Sequence, residues 1–156
     1  MKILESLRHK LFKSAELSGN EKETNKIINR FLEKTNPDIH LKNVGGYGII
    51  AIYKGVEDGR NIMLRADIDG LNIPLMSTDN GQQTTDVFEL SAVSTKCQSS
   101  KYNNQFSHRC GHDGHAAILC GLALYFGKNR PEKGNVILLF QPAEETGEGA
   151  EAVIND

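Results

Sequence analysis

The run from Asn135 to Phe140 (Asn-Val-Ile-Leu-Leu-Phe) is almost wholly apolar and stops abruptly at Gln141-Pro142-Ala143-Glu144-Glu145. A central strand buried on both faces reads this way, and Pro142, with no N–H to offer a ladder, closes it. Such a strand commits the chain to a layered fold, because both faces of its sheet need covering. Two adjacent carboxylates at the end of a buried strand pack poorly. In open α/β sheets, however, the carboxyl ends of strands are where sites form. Glu144 and Glu145 are therefore candidate site residues, one suited to ligate a metal while the other handles a proton. The structural alternative is an acidic pair opening the next helix, whose dipole welcomes negative charge.

The covering layers can be placed along the chain. Ile3, Leu4, Leu7, Leu11 and Phe12 recur at helical spacing over roughly residues 2–16. After the break at Leu17-Ser18-Gly19-Asn20, Ile27, Ile28, Phe31 and Leu32 carry a second helix. Ile39 to Val44 and Tyr47 to Tyr53 read as strands about a Gly45-Gly46 turn, and a third strand leads from Asn61 into Arg65-Ala66-Asp67. Residues 77–107, rich in Ser, Thr, Asn and Gln, read as a long loop with a short strand near Val87 to Leu90. The main helix spans about Asp113 to Gly127, with the glycine as its stop, and a last helix covers about 148–155. This alternation predicts an α/β fold with a mixed, largely buried sheet flanked by helices.

The stretch His108-Arg109-Cys110-Gly111-His112-Asp113-Gly114-His115 gathers one thiol, three imidazoles and one carboxylate at the mouth of the main helix. Thiolate and imidazole are the ligands that first-row divalent metals prefer, zinc above all. The residues predict a metal site. Upstream, Asp67 and Asp69 stand two apart at the end of the third strand, so an extended chain would turn both to one side. One could hold a ligating histidine from behind. An Asp-Gly turn accounts for Asp69 and Gly70 with no site at all, but leaves Asp67 unexplained.

At 156 residues the chain suits one domain, and its 38% hydrophobic and 24% charged residues are ordinary for a globular protein. A formal net charge of -2 gives no electrostatic reason to expect nucleic acid or an anionic membrane as partner. The sequence opens without an apolar leader core and holds no apolar run near the ~18 residues of a membrane span. Cys97, Cys110 and Cys120 are odd in number and irregularly spaced, against a disulfide framework and for a reducing, cytoplasmic setting. Cys120 falls inside the helical pattern as a small buried hydrophobe. His9 and His40 read as surface histidines.

The same segments resemble a known family. The sequence is similar to the aminoacylase/carboxypeptidase-type metallo-amidohydrolases, in the branch of hippurate hydrolases, N-acyl-amino-acid amidohydrolases and plant auxin-conjugate hydrolases. That branch shows Arg-Ala-Asp-Met-Asp-Ala-Leu-Pro where this chain has Arg65-Ala66-Asp67-Ile68-Asp69-Gly70-Leu71-Asn72-Ile73-Pro74. Its His-x-Cys-Gly-His-Asp-Gly-His matches residues 108–115, and its Phe-Gln-Pro-Ala-Glu-Glu matches Phe140 to Glu145 without change. Gly147 to Ala150 resembles the Gly-Glu-Gly-Ala that follows, and Ala15-Glu16-Leu17-Ser18 is a weaker match to His-Pro-Glu-Leu-Ser.

The resemblance implies a zinc-exopeptidase-like catalytic domain that hydrolyses the amide bond of N-acyl amino acids or peptide-like conjugates. It implies Cys110, His112 and Glu145 as metal ligands, Glu144 as general base with Asp67 as a second catalytic carboxylate, and Asp113 and His115 as supports behind the ligands. Two divalent ions, zinc or manganese, are implied for the complete enzyme, as is a homo-oligomer. His108 lies outside the ligand set. Family members are more than twice as long, with further histidine ligands and a dimerisation and lid domain beyond the Glu-Glu motif. Residues 1–156 are thus expected to be a partial catalytic metal-binding domain, weakly active or inactive alone. Two alternatives stay open: a non-catalytic remnant of the same fold serving as a binding or assembly module, and a small zinc-stabilised module using Cys110, His112, His115 and His108.

Overall fold

The computed structural model describes residues 2–73 and 106–156. The expected short strand near Val87 to Leu90, most of the polar loop and Cys97 lie outside them. Two helices, α1 (Lys2–Lys13) and α2 (Lys22–Leu32), come first, with a 3-10 turn (Glu33–Thr35) closing α2. Strands β1 (Ile39–Val44), β2 (Gly48–Lys54) and β3 (Ile62–Asp67) follow, then the two-residue strands β4 (Leu71–Asn72) and β5 (Phe106–Ser107). Helix α3 (His112–Lys128), strand β6 (Asn135–Gln141) and helix α4 (Gly149–Asn155) complete the order.

The main sheet runs β1-β2-β6-β3, so the apolar strand of the sequence is central as its composition demands. β6 pairs antiparallel with β2 and parallel with β3, making the sheet mixed. Alternate residues Ile49, Ala51 and Tyr53 of β2 and Val136, Leu138 and Phe140 of β6 form one buried face. They share a single core with Leu7 and Leu11 of α1, Ile28 and Leu32 of α2, and Leu119, Cys120 and Ala123 of α3. Each of the larger side chains among them, the leucines, isoleucines and Phe140, contributes roughly 1.5–3 kcal/mol on full burial. At the outer strand β3 the apolar Ile62, Met63 and Leu64 are exposed, so burial is confined to the centre of the sheet.

The expected helix stop at Gly127 is corrected, since α3 continues through Lys128. The glycine is needed for a different reason: a Cβ there would lie 2.2 Å from the Thr35 carbonyl oxygen, where α3 crosses the 3-10 turn. The first helix also ends earlier than expected, at Lys13. The residues after it, 14–21, cross beneath the carboxyl end of the sheet. Along this strap Glu16 accepts the N–H groups of Glu23 and Thr24 at 2.9 Å each, capping α2. Its carbonyl accepts Gly70 N–H at 2.7 Å.

Candidate metal centre

Parallel pairing of β3 with β6 puts Asp67 opposite Gln141, so the two strands end side by side and their acidic extensions meet. Arg65 joins them across the ladder: its Nε donates to Gln141 Oε1 at 2.7 Å, and its guanidinium also donates to Asp67. Partial burial raises the pKa of Asp67 against the opposing pull of Arg65. After Gln141 the buried Pro142 ends the strand, and Ala143 takes a left-handed conformation (φ 50°), unusual for a residue with a Cβ. Glu144 and Glu145 follow from that turn, both half-buried.

The third contribution comes from the mouth of α3. Gly111 (φ 83°) turns the chain between exposed Cys110 and buried His112, the first residue of the helix. The Cys110 thiol, a His112 nitrogen and a Glu145 carboxylate oxygen all lie within 4.8 Å of one another. A second trio, Asp67, His112 and Glu144, meets the same limit, so His112 is common to both. The expected convergence of Cys110, His112 and Glu145 is present, and Asp67 and Glu144 stand beside it.

The imidazole of His112 is oriented from behind. Its Nδ1 lies 2.9 Å from the Asp69 carbonyl and 3.3 Å from Asp69 Oδ1. Both are acceptors, so Nδ1 carries a proton, and Nε2 becomes the ligand nitrogen once its own proton is displaced. That nitrogen faces Glu144 at 3.7 Å and Glu145 at 3.9 Å. The Asp69 carboxylate raises the pKa of His112 to about 9. The Glu145 carboxylate, with smaller contributions from burial and from Glu144 and Asp69, holds the Cys110 thiol up, to about 11. Hydrogen bonds from His112, Glu145 N–H and Ser18 lower the pKa of Asp69 to about 2 despite its burial.

Of the two aspartates that sequence reasoning offered as a support for a ligating histidine, Asp69 is the one it left explained by a turn. A simple Asp-Gly turn explained it, yet its side chain is fully buried and accepts Ser18 Oγ at 2.7 Å and Glu145 N–H at 2.9 Å. Strand β3 ends at Asp67, and both acidic side chains reach His112, Asp67 as a member of its trio and Asp69 at Nδ1. His108 is buried too, and donates from Nδ1 to the Asp69 carbonyl at 2.9 Å. His40 is half-buried rather than a free surface residue, with Nε2 2.8 Å from Asn29 Oδ1. The two expected supports differ from each other. Asp113 is buried and accepts Arg8 Nε of α1 at 3.0 Å, which ties α1 to the mouth of α3. His115 is exposed, its ring 6.1 Å from that of His112, and belongs to neither trio.

The donor set suits a divalent cation. A thiol, one imidazole nitrogen and two carboxylates converge, and the buried Glu145 Oε1 has no hydrogen-bond partner among the described residues. A cation relieves both the carboxylate repulsion and the unsatisfied oxygen.

The family model of Peptidase family M20/M25/M40 matches residues 63–156. N-acetylcysteine deacetylase of Bacillus subtilis (strain 168) is 39% identical over 154 residues, covering 96% of this chain and 35% of the relative. The chain belongs to the M20/M25/M40 peptidase family. Other M20/M25/M40 relatives agree. Hippurate hydrolase of Campylobacter jejuni is 32% identical over 152 residues, 97% of this chain and 34% of the relative. The Bacillus subtilis YXEP protein, described as a dinuclear metal binding peptidase from the M20 family, superposes with a TM-score of 0.78 at 35% identity. That likeness covers 99% of this chain and 38% of the other. The chain thus spans about a third of the length of the curated relatives it matches. Among the described residues no helix is long and apolar enough to cross a membrane.

Proposed function

We propose that these residues form the metal-holding, water-activating part of an amidohydrolase acting on N-acyl amino acids or similar conjugates. The convergence of Cys110, His112 and Glu145, with Asp67 and Glu144 alongside, carries the reading. Cys110, His112 and Glu145 would hold zinc or manganese. When bound, a divalent ion lowers the pKa of a neighbouring water and polarises the scissile carbonyl. Glu144, beside His112, takes the proton as the water oxygen attacks the amide carbon, then delivers it to the amine as the C–N bond breaks. Asp67, anchored by Arg65, faces His112 from the end of β3 and keeps the cluster acidic. Asp69 fixes the His112 tautomer.

The test has two arms. Purified chain dialysed against zinc or manganese should retain one ion, and Cys110→Ser or His112→Asn should abolish retention. Residues 1–156 grafted onto the remaining length of the Bacillus subtilis N-acetylcysteine deacetylase should hydrolyse N-acetylcysteine or hippurate in a chelator-sensitive way. Retention unaffected by either ligand substitution overturns the metal centre, and a metal-loaded but inert graft overturns the hydrolase.

A further inference from the structure

A second buried carboxylate lies near the centre but faces it from below. Glu21, the last residue of the strap, is fully buried although its neighbours Asn20 and Lys22 are exposed. Its Oε1 accepts the N–H of Gly19 at 3.0 Å and the N–H of Ala143 at 2.8 Å. Its Oε2 is buried with no partner among the described residues. An unpaired buried carboxylate oxygen is costly, so the two accepted bonds must be the reason it is kept.

The second bond reaches a special residue. Ala143 is left-handed between Pro142, which cannot donate, and Glu144. A non-glycine residue in this conformation is strained and persists only where its surroundings over-determine it. Glu21 supplies that constraint at the amide, while the Ala143 carbonyl accepts Gly149 N–H at 3.0 Å. Two residues on, Glu145 N–H is fixed by Asp69, which Ser18 of the same strap also holds. The strap therefore grips the turn at two points, one on either side of Glu144.

We infer that Glu21 is a positioning residue of the metal centre: its buried carboxyl group locks the left-handed turn at Ala143 and thereby aims Glu144 and Glu145. This rests on the metal-centre reading, which it deepens. Glu21 touches neither candidate ligand and acts only through the backbone.

Substituting Glu21 separates positioning from packing. Glu21→Gln keeps an acceptor at Oε1 and places a neutral group where the unpaired oxygen lies. Glu21→Leu fills the volume with no acceptor. The first measurement is amide hydrogen exchange on the metal-free chain. Glu21→Leu should speed exchange at Ala143 and Glu145 by on the order of tenfold, the loss of one net hydrogen bond, while Glu21→Gln leaves both protected. The second is titration with Co(II), read by its d–d spectrum and the near-ultraviolet thiolate band of Cys110. Glu21→Leu should bind about 10–100-fold more weakly with an altered d–d spectrum, and Glu21→Gln should restore both. Packing alone predicts the reverse order, with Glu21→Leu like the native chain. Native exchange at Glu145 in Glu21→Leu, or a native Co(II) spectrum and affinity, overturns the inference. A native chain that takes up no Co(II) sinks the metal reading instead, and the exchange measurement then decides Glu21 by itself.

Discussion

Asp69 accepts the backbone N–H of Glu145 at 2.9 Å and lies 3.3 Å from the Nδ1 of His112, so one buried carboxylate registers two candidate ligands from different elements. Asp69→Asn keeps the volume but puts an NH2 group where an acceptor is needed. Metal affinity should fall about 10–100-fold, measured by competition with a chromophoric chelator. Unchanged affinity in a folded Asp69→Asn protein would show that His112 is held by its carbonyl contact alone.

Glu144 and Glu145 should separate by assay. Glu145 belongs to the Cys110 trio and Glu144 to the Asp67 trio, and the proposed function gives Glu144 the proton. In the grafted enzyme, Glu144→Gln should retain metal and lose about 10²–10⁴-fold in turnover, while Glu145→Gln should lose metal as well. Equal metal loss in both would refute the division of roles.

Metal uptake should release protons. The Cys110 thiol, held up to about 11 by Glu145, and His112, raised to about 9 by Asp69, both carry protons at neutral pH. A cation must displace them, so affinity should rise with pH at up to about two log units per pH unit below 9. Proton release followed with an indicator dye in weak buffer gives the count. A pH-independent affinity between 6 and 8 would mean that Cys110 and His112 are not the ligands.

Much of this arrangement is legible in the sequence, and the failures share a cause. The apolar strand ending at Gln141-Pro142, the helix beginning at the Cys/His cluster and the residues that converge there can all be read from local patterns. Periodicity and motif spacing carry that information because it is local. Asp69 and Glu21 are different. The bonds that give them meaning come from residues 76 and 122 positions away, and nothing near them in sequence marks them as buried. Glu21 sits in a polar run that looks like solvent-facing helix, and Asp69 is disguised by Gly70. Gly127 misleads for the same reason, since Thr35, not the helix end, demands it.

Glu21 also gives a stability signature. Burial raises its pKa in the folded chain above the ordinary value of 4.5. Between those two values the folded state holds a proton that the unfolded chain has released, so stability falls as pH rises through that window. Glu21→Gln cannot titrate. Its stability relative to the native chain should therefore increase as pH rises above 4.5, measured by urea unfolding from pH 4 to 7. A constant difference across that range would show that Glu21 titrates alike in both states.

Because both trios of possible ligands include the single ring of His112, and Asp69 occupies the far nitrogen of that ring, only Nε2 remains to be shared. An ion drawn toward Cys110 takes this nitrogen away from the Asp67 side, and the reverse holds equally. Whichever place holds the ring, an ion in the other would rest on the donors left there, Asp67 and Glu144 on one side or Cys110 and Glu145 on the other.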